Sequence, residues 1–434
     1  MADKPELSNS DLCKDIIKIY EPYFLMLPNY YQVFIELINN IIYKDNESSF
    51  SLQHKLFYGL MASSTVGCEK LLYDFEKIFL IVGGNKSWVE EGLKCKNIPE
   101  QIRGLATINN ILAHKPWIMD WRHFTEFKNG LSVFLFQSAI ILTSIQRFAS
   151  ILSSLNCIIQ KKKEDEKNGK NVEKNDEKNE ISDTKINEEN SDKSTETIKK
   201  KKRQKSGNFE DEIEKVIISV KKSSKENKKN KNKNKNKNDE KEKMDKDIGY
   251  KKEIFRKYIS EFIMTYNNFN PHIEKYLLVE DFNWKTNAKY FFFDYAGKEM
   301  EYLDKELKVL ENITLEKENE KNDKKINIFK LRNAIEKYIS LIFGINDDEY
   351  NYHLTNESIA VELKRVIKKI ACYPDQISEI ELDSCLKILT KEQLVYLIFI
   401  VTSIKQKISL TFFAKAFEDF MSNNKSLNNN NADN

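Results

Sequence analysis

Residues 160–249 of this chain cannot build a core, and that limits how the rest can fold. Strings such as KKKEDEKNGKNVEKNDEKNE and KKNKNKNKNKNDEKEK bury too little apolar area to offset the entropy of ordering them. The expected organisation is a helical half over 1–159, a disordered charged linker over 160–249, a second helical half over 250–421, and a disordered Asn-rich tail over 422–434. Within the linker, FEDEIEKVIISV (209–220) has the apolar content for a short helix or strand.

The linker also decides how the net charge of +3 is read. Residues 161–250 hold 28 Lys or Arg against 22 Asp or Glu, so they carry +6 and leave −3 to the remainder. Lysines diluted by carboxylates, with aromatic residues not interleaved among them, give neither a strong positive field nor stacking platforms for bases. A nucleic-acid partner is therefore not expected. Gly and Pro are scarce, at 12 and 7, which suits long helices better than a turn-rich sandwich or barrel. The fold class read from the sequence is all-α.

Cys13, Cys68, Cys95, Cys157, Cys372 and Cys385 are widely spaced, without CxxC. With no positive-then-apolar start, they are expected to be thiols in a reducing compartment, the cytoplasm or nucleus. The most apolar run, LSVFLFQSAIILTSIQ (131–146), is shorter than a membrane crossing and carries Gln137, Ser138 and Thr143, so it reads as a buried helix without membrane insertion. The five histidines are dispersed and show no HExxH-like spacing; no metal and no cofactor are expected.

Apolar residues recur at three and four from Leu12 to about Ile159. Leu71, Leu72, Phe75 and Phe79 trace one helical face that ends at Gly83-Gly84, and Pro116 interrupts the helical pattern inside HKPW. Residues 131–158 read as one long core helix. After the linker, IFRKYISEFIMTY, FKLRNAIEKYISLIFGI, ESIAVELKRVIKKIACY and the last apolar run from Lys391 fit helices. Gly344 is the expected C-cap of the second of these, and Thr390 with Gln393 forms a capping-box pattern for the last. YFFFDYAG (290–297) is the best candidate for a non-helical piece.

Three features could carry chemistry. Cys68, in SSTVGCEKLLYDF, is either a buried apolar cysteine or a thiol made reactive by its surroundings; no histidine lies three, four or seven residues from it. Arg332 and Glu392 are a second candidate. A free amino acid needs a cation for its carboxylate and an anion for its ammonium, and arginine's fork binds both carboxylate oxygens. The competing reading is a surface arginine and a glutamate that favours a helix dipole. Third, Asp347, Asp348 and Glu349, followed by Tyr350 and Tyr352, form either a docking patch for a basic partner or a solvated turn.

GCEKLLYDFEKIFLIVGGNKSW, NNILAHKPWI, DFNWKT (281–286), LRNAIEKYISLIFGINDDEYNY (331–352) and KKIACYPD (368–375), in that order, resemble the sestrin family over roughly 18–158 and 250–421. The resemblance implies two alkylhydroperoxidase-like helical domains joined by a disordered linker. It implies a stress-response regulator that restrains TOR signalling through the GATOR complex, with leucine or another free amino acid as a controlling ligand. It places Cys68 on the family's redox cysteine, but Lys70 and Phe75 stand where the family has a tyrosine and a histidine. Phe75 cannot accept a proton, so the alternative activity, a weak Cys68-dependent alkyl hydroperoxide reductase, is expected to be impaired. Arg332 falls on the carboxylate-binding arginine. Glu392 falls on the ammonium-binding glutamate if one residue is deleted upstream, and Gln393 otherwise. Thr314 falls on a lid threonine; Leu315 and Ile328 replace two polar lid residues, and Cys385 or Leu386 replaces a tryptophan floor. Asp348 and Glu349 fall on the acidic pair through which the family contacts GATOR, with Asp347 preceding.

Overall fold

The computed structural model describes residues 16–43, 50–127, 131–176, 253–260, 276–314 and 328–432, without the side chains of 161–176, 328 and 424–432. The linker beyond residue 176, the segment 209–220 and Leu315 lie outside the described residues, as does the side chain of Ile328.

The chain is predominantly helical. The first half holds α1 (Glu21–Phe24), α2 (Tyr30–Ile38), α3 (Leu52–Val66), α4 (Glu69–Ile81), α5 (Lys86–Glu91), α6 (Glu100–His114) and α7 (Ser132–Asp176), the last of which runs into the stretch read as linker. After it come α8 (Lys289–Ala296), α9 (Lys298–Glu311), α10 (Ile328–Ile342), α11 (His353–Ser358), α12 (Val361–Cys372), α13 (Glu379–Leu386) and α14 (Lys391–Ala432). The departure from all-helical structure is small. β1 (Leu277–Leu278) and β2 (Ile345–Asn346) form one parallel pair, with Leu277 opposite Ile345.

Local signals set most boundaries. Ser51 caps α3 by accepting from the His54 N–H, and Gly67, at φ +80°, closes it. α6 stops at His114, two residues before Pro116. α10 leads into Gly344 at φ +84°, and α12 ends at Cys372 before Pro374. At the start of α14 the Thr390 N–H donates to Gln393 Oε1 at 2.9 Å, and the Gln393 N–H donates to Thr390 Oγ1 at 3.2 Å. That is the capping box read from the sequence.

YFFFDYAG is helical, contrary to expectation. Aromatic side chains are weak helix formers, but here tertiary packing outweighs propensity. Phe292 is fully buried, and its ring meets Phe136 edge-on at 4.7 Å, while Tyr295 stacks on the same Phe136 at 4.9 Å. The last helix also runs on to Ala432, into the stretch read as a tail. Adding residues to an existing helix avoids the nucleation cost.

Residues Met1–Asp165 and Lys252–Asn434 form one compact unit. The two sequence halves therefore share a core. Its centre is a pair of apolar helices, α7 and α14. By length and composition Ser132–Gln160 and Lys391–Asn423 could each cross a membrane, but 100% and 94% of their most apolar windows are buried inside the protein. They are core helices, joined by Phe136 against Phe413 and Phe417 at 5.2 and 4.9 Å. Other contacts tie the halves together. Tyr258, fully buried, donates to Glu76 Oε1 at 2.8 Å, and the Leu93 N–H donates to the Lys257 carbonyl at 2.8 Å.

Candidate functional site

Cys68 sits at the junction of α3 and α4, as the residue preceding the first turn of α4 rather than within the helix. Its backbone N–H donates to the Ser63 carbonyl at 3.0 Å, and its carbonyl accepts from the Leu72 N–H at 3.0 Å. The side chain is 4% exposed. Burial pushes the thiol up from its ordinary value, against the Leu71 backbone and the Ser153 hydroxyl. Lys70 does not serve the thiol as a dedicated cation, because it is ion-paired with Asp74 one turn along the helix. Phe75 is fully buried and packs against Gly59: a Cβ added there would lie 2.6 Å from its ring. The place of the resemblance's histidine is thus occupied by an apolar plug. Tyr20 also adjoins this site, with its phenol pushed up to about 12 by burial and then by Cys68 and Asp74. A phenol held protonated in this way cannot serve as the thiol's base near neutral pH.

The acidic run lies in the loop after β2. Asp347 is held by an ion pair with Lys337, and its backbone N–H donates to the Tyr352 hydroxyl at 3.1 Å. Tyr350 and Tyr352 pack edge to face at 5.2 Å, and Lys337 lies over the Tyr350 ring at 5.4 Å. Asp348 and Glu349 are exposed. Asn346 donates to Asp348 Oδ1 at 2.5 Å, and the Glu349 N–H donates to Asp347 Oδ1 at 3.2 Å. The loop therefore ties Asp347 back into its own structure and leaves Asp348, steadied by Asn346, and Glu349 exposed.

Arg332 lines a cavity of about 180 Å³ between α10 and α14. From α10 come Phe329, Arg332, Asn333 and Glu336, which the three- and four-residue spacing puts on one face. From α14 come Ile400, Ile404 and Lys407; Glu311 at the end of α9 and Lys285 complete the lining. Arg332 donates to the Glu311 carbonyl and lies over the Phe329 ring at 5.4 Å, while Ile335 and Ile339, on its helix, are buried as read from the sequence. Lys407 Nζ donates to Glu311 Oε1 at 2.8 Å. Burial works against the Lys407 charge, but Glu336 and Glu311 outweigh it and hold its pKa above the ordinary value.

Glu392 is not in this lining. It is exposed on the first turn of α14, and Gln393 is engaged in the capping box. Thr314 is exposed and also outside the lining, Leu386 is 41% exposed, and Cys385 is fully buried with its thiol pushed up to about 12 by burial and then by Glu381 and Glu362. The structure thus brings Arg332 together with Glu311, Glu336, Lys285 and Lys407. None of these four was singled out by sequence reasoning. Glu336 had a legible signal, since it lies four residues after Arg332 on the same face; Glu311 and Lys285 had none.

Among the described residues no group of three or more His, Cys, Asp or Glu could hold a metal ion. Cys68, Cys95, Cys157, Cys372 and Cys385 are free thiols.

A family model described as PA26 p53-induced protein (sestrin) matches residues 7–421. Among similar proteins, Sestrin-3 of Mus musculus is 21% identical over 397 residues, covering 84% of this chain and 78% of that protein. Sestrin-2 of Homo sapiens is 21% identical over 371 residues, covering 80% and 72% respectively. A sestrin homolog of Dictyostelium discoideum is 26% identical over 125 residues, covering 28% of this chain and 20% of that protein.

Proposed function

This chain belongs to the sestrin family, which gives it a general sestrin-like role in stress and TOR regulation, and we propose that it restrains TOR signalling by contacting the GATOR complex through the loop that carries Asp348 and Glu349. The observation that carries this reading is the division of labour in the loop. Asp347 is tied back by Lys337 and Tyr352, so Asp348 and Glu349 project from a braced turn. Charges held in a fixed geometry steer and orient a basic partner at lower entropic cost than charges on a loose chain. Capture of the GATOR complex by wild type and by a variant carrying Asp348→Ala and Glu349→Ala tests it. The variant should retain its fold and recover far less GATOR; equal recovery rejects this interface.

A free amino acid in the Arg332 cavity is the proposed controlling ligand. Arg332 has guanidinium donors left after its bond to the Glu311 carbonyl, and the cavity places carboxylates nearby to answer an ammonium. Leucine belongs to this proposal as the family's ligand. At Cys68 burial outweighs the Leu71 backbone and Ser153 hydroxyl that would stabilise a thiolate, and Phe75 fills the place of a proton acceptor, so the hydroperoxide-reductase alternative is not favoured.

A further inference from the structure

The Arg332 cavity contains more unmatched charge than an apolar amino acid can answer. Five charged side chains line it: Lys285, Arg332 and Lys407 against Glu311 and Glu336. One pair is closed internally, because Lys407 donates to Glu311 at 2.8 Å with the Lys407 side chain 9% exposed. Arg332 gives a bond to the Glu311 backbone carbonyl, which neutralises no charge. Glu336 is half-buried and shares the Lys407 charge with Glu311, without a direct hydrogen bond to it among the described residues. Lys285 is exposed at the rim and likewise makes no ion pair among the described residues. Among the described residues the lining therefore sets three cations against two anions, an excess of one positive charge, with Lys407 shared between the two carboxylates. A molecule of net charge −1 answers that excess, and one with two carboxylates and an ammonium can meet Arg332, Lys285 and Glu336 together. Beneath them the buried Ile400 and Ile404 offer an apolar floor for a short methylene chain.

We propose that the ligand of this cavity is an acidic α-amino acid, with Arg332 and Lys285 taking its two carboxylates and Glu336 taking its ammonium. The inference rests on the amino-acid reading above and assigns the ammonium to Glu336 rather than Glu392. Arg332 and Glu336 lie one turn apart on α10, so a ligand's backbone carboxylate and ammonium can bridge them along the helix. The fork of Arg332 suits a carboxylate, while Lys285 acts as a point charge on a flexible stem and tolerates either side-chain length. A leucine would leave Lys285 unanswered and would set its isobutyl group beside it.

Calorimetric titration of the full chain with L-glutamate, L-aspartate, L-leucine and glutarate tests this, with thermal melting to show that each variant is folded. Glutamate or aspartate should bind about tenfold or more tightly than leucine. Glutarate, which lacks the ammonium, should bind weakly, and Glu336→Gln should weaken glutamate about tenfold while leaving glutarate unchanged. Lys285→Ala lies at an exposed position, where folding should survive; it should bring glutamate down toward leucine without altering leucine. Tighter binding of leucine than of either acidic amino acid overturns the inference but leaves the amino-acid reading intact. Binding of no amino acid at all overturns both. Loss of glutamate binding in Glu392→Gln, with Glu336→Gln unaffected, overturns the ammonium assignment.

Discussion

Arg147 on α7 and Glu306 on α9 form a bidentate ion pair, with both Nη atoms 2.6 Å from a carboxylate oxygen and side chains only 2% and 0% exposed. Tyr30 donates its hydroxyl to the same carboxylate, Arg147 also donates to Gln406 at 3.2 Å, and Gln406 donates to Ser144 at 2.9 Å. The network draws on α2, α7, α9 and α14, and so fastens the sequence before the linker to the sequence after it.

Removing one partner should cost more than the pair contributes, because it strands a desolvated charge. Glu306→Gln is expected to destabilise the chain by about 3–5 kcal/mol in urea unfolding. Combining Arg147→Met with Glu306→Leu should recover most of that loss, less what Tyr30 and Gln406 forfeit as unpaired polar groups. A double variant as unstable as the single one would contradict this account.

Gly59 is needed for space rather than for a backbone angle. Its Cβ would fall 2.6 Å from the Phe75 ring, and Phe75 is enclosed. Gly59→Ala should therefore destabilise by about 1–3 kcal/mol despite alanine's higher helix propensity. Adding Phe75→Leu should relieve part of the clash. Midpoints of thermal unfolding for the two variants decide the matter.

Cys68 should behave as a structural thiol. Burial keeps it protonated at neutral pH, and the thiol form is a poor nucleophile. Alkylation of the native chain at pH 7.5, followed by peptide mass analysis, should modify Cys68 much more slowly than in the urea-unfolded chain. Peroxide consumption should not change in Cys68→Ser. Rapid native labelling would restore the redox reading.

His114, in the LAHKPW string, should make the fold sensitive to acid. Burial lowers its pKa to about 3, with repulsion from Lys405 and then Lys115 working the same way and the Thr65 backbone opposing. The folded value lies below the unfolded one of about 6.5, so the unfolded chain binds the extra proton between them. Stability from this group is intact above about 6.5, falls as the pH drops, and stops falling below about 3. At pH 5 the loss should be about 2 kcal/mol. Urea unfolding at pH 7.5 and 5.0 should show it, and His114→Asn should lack that share of the pH dependence.

Lys405 should shift the balance in alkaline solution. Burial lowers its pKa to about 8, with the Cys372 thiol opposing. The unfolded lysine keeps its proton to higher pH, so stability should rise between about pH 8 and 10. Lys405→Met should raise the urea midpoint at pH 7 and flatten that rise.

The sequence by itself determined the helical class, several helix ends and the family. Periodicity, the Thr390–Gln393 cap, Gly344 and Pro116 act over a few residues, so their effects can be read without knowing the fold. The exposed acidic pair was legible for the same reason: two adjacent carboxylates after a glycine turn need no distant partner to be placed. Tertiary structure alone decided that 290–297 is helical, because Phe136 and the rings of α14 supply packing that local propensity cannot. It alone set Glu336 and Glu311, rather than Glu392, beside Arg332, and joined Arg147 to Glu306 across 159 residues. Such pairings depend on how helices stack, and stacking is fixed by the summed burial of many side chains rather than by any motif.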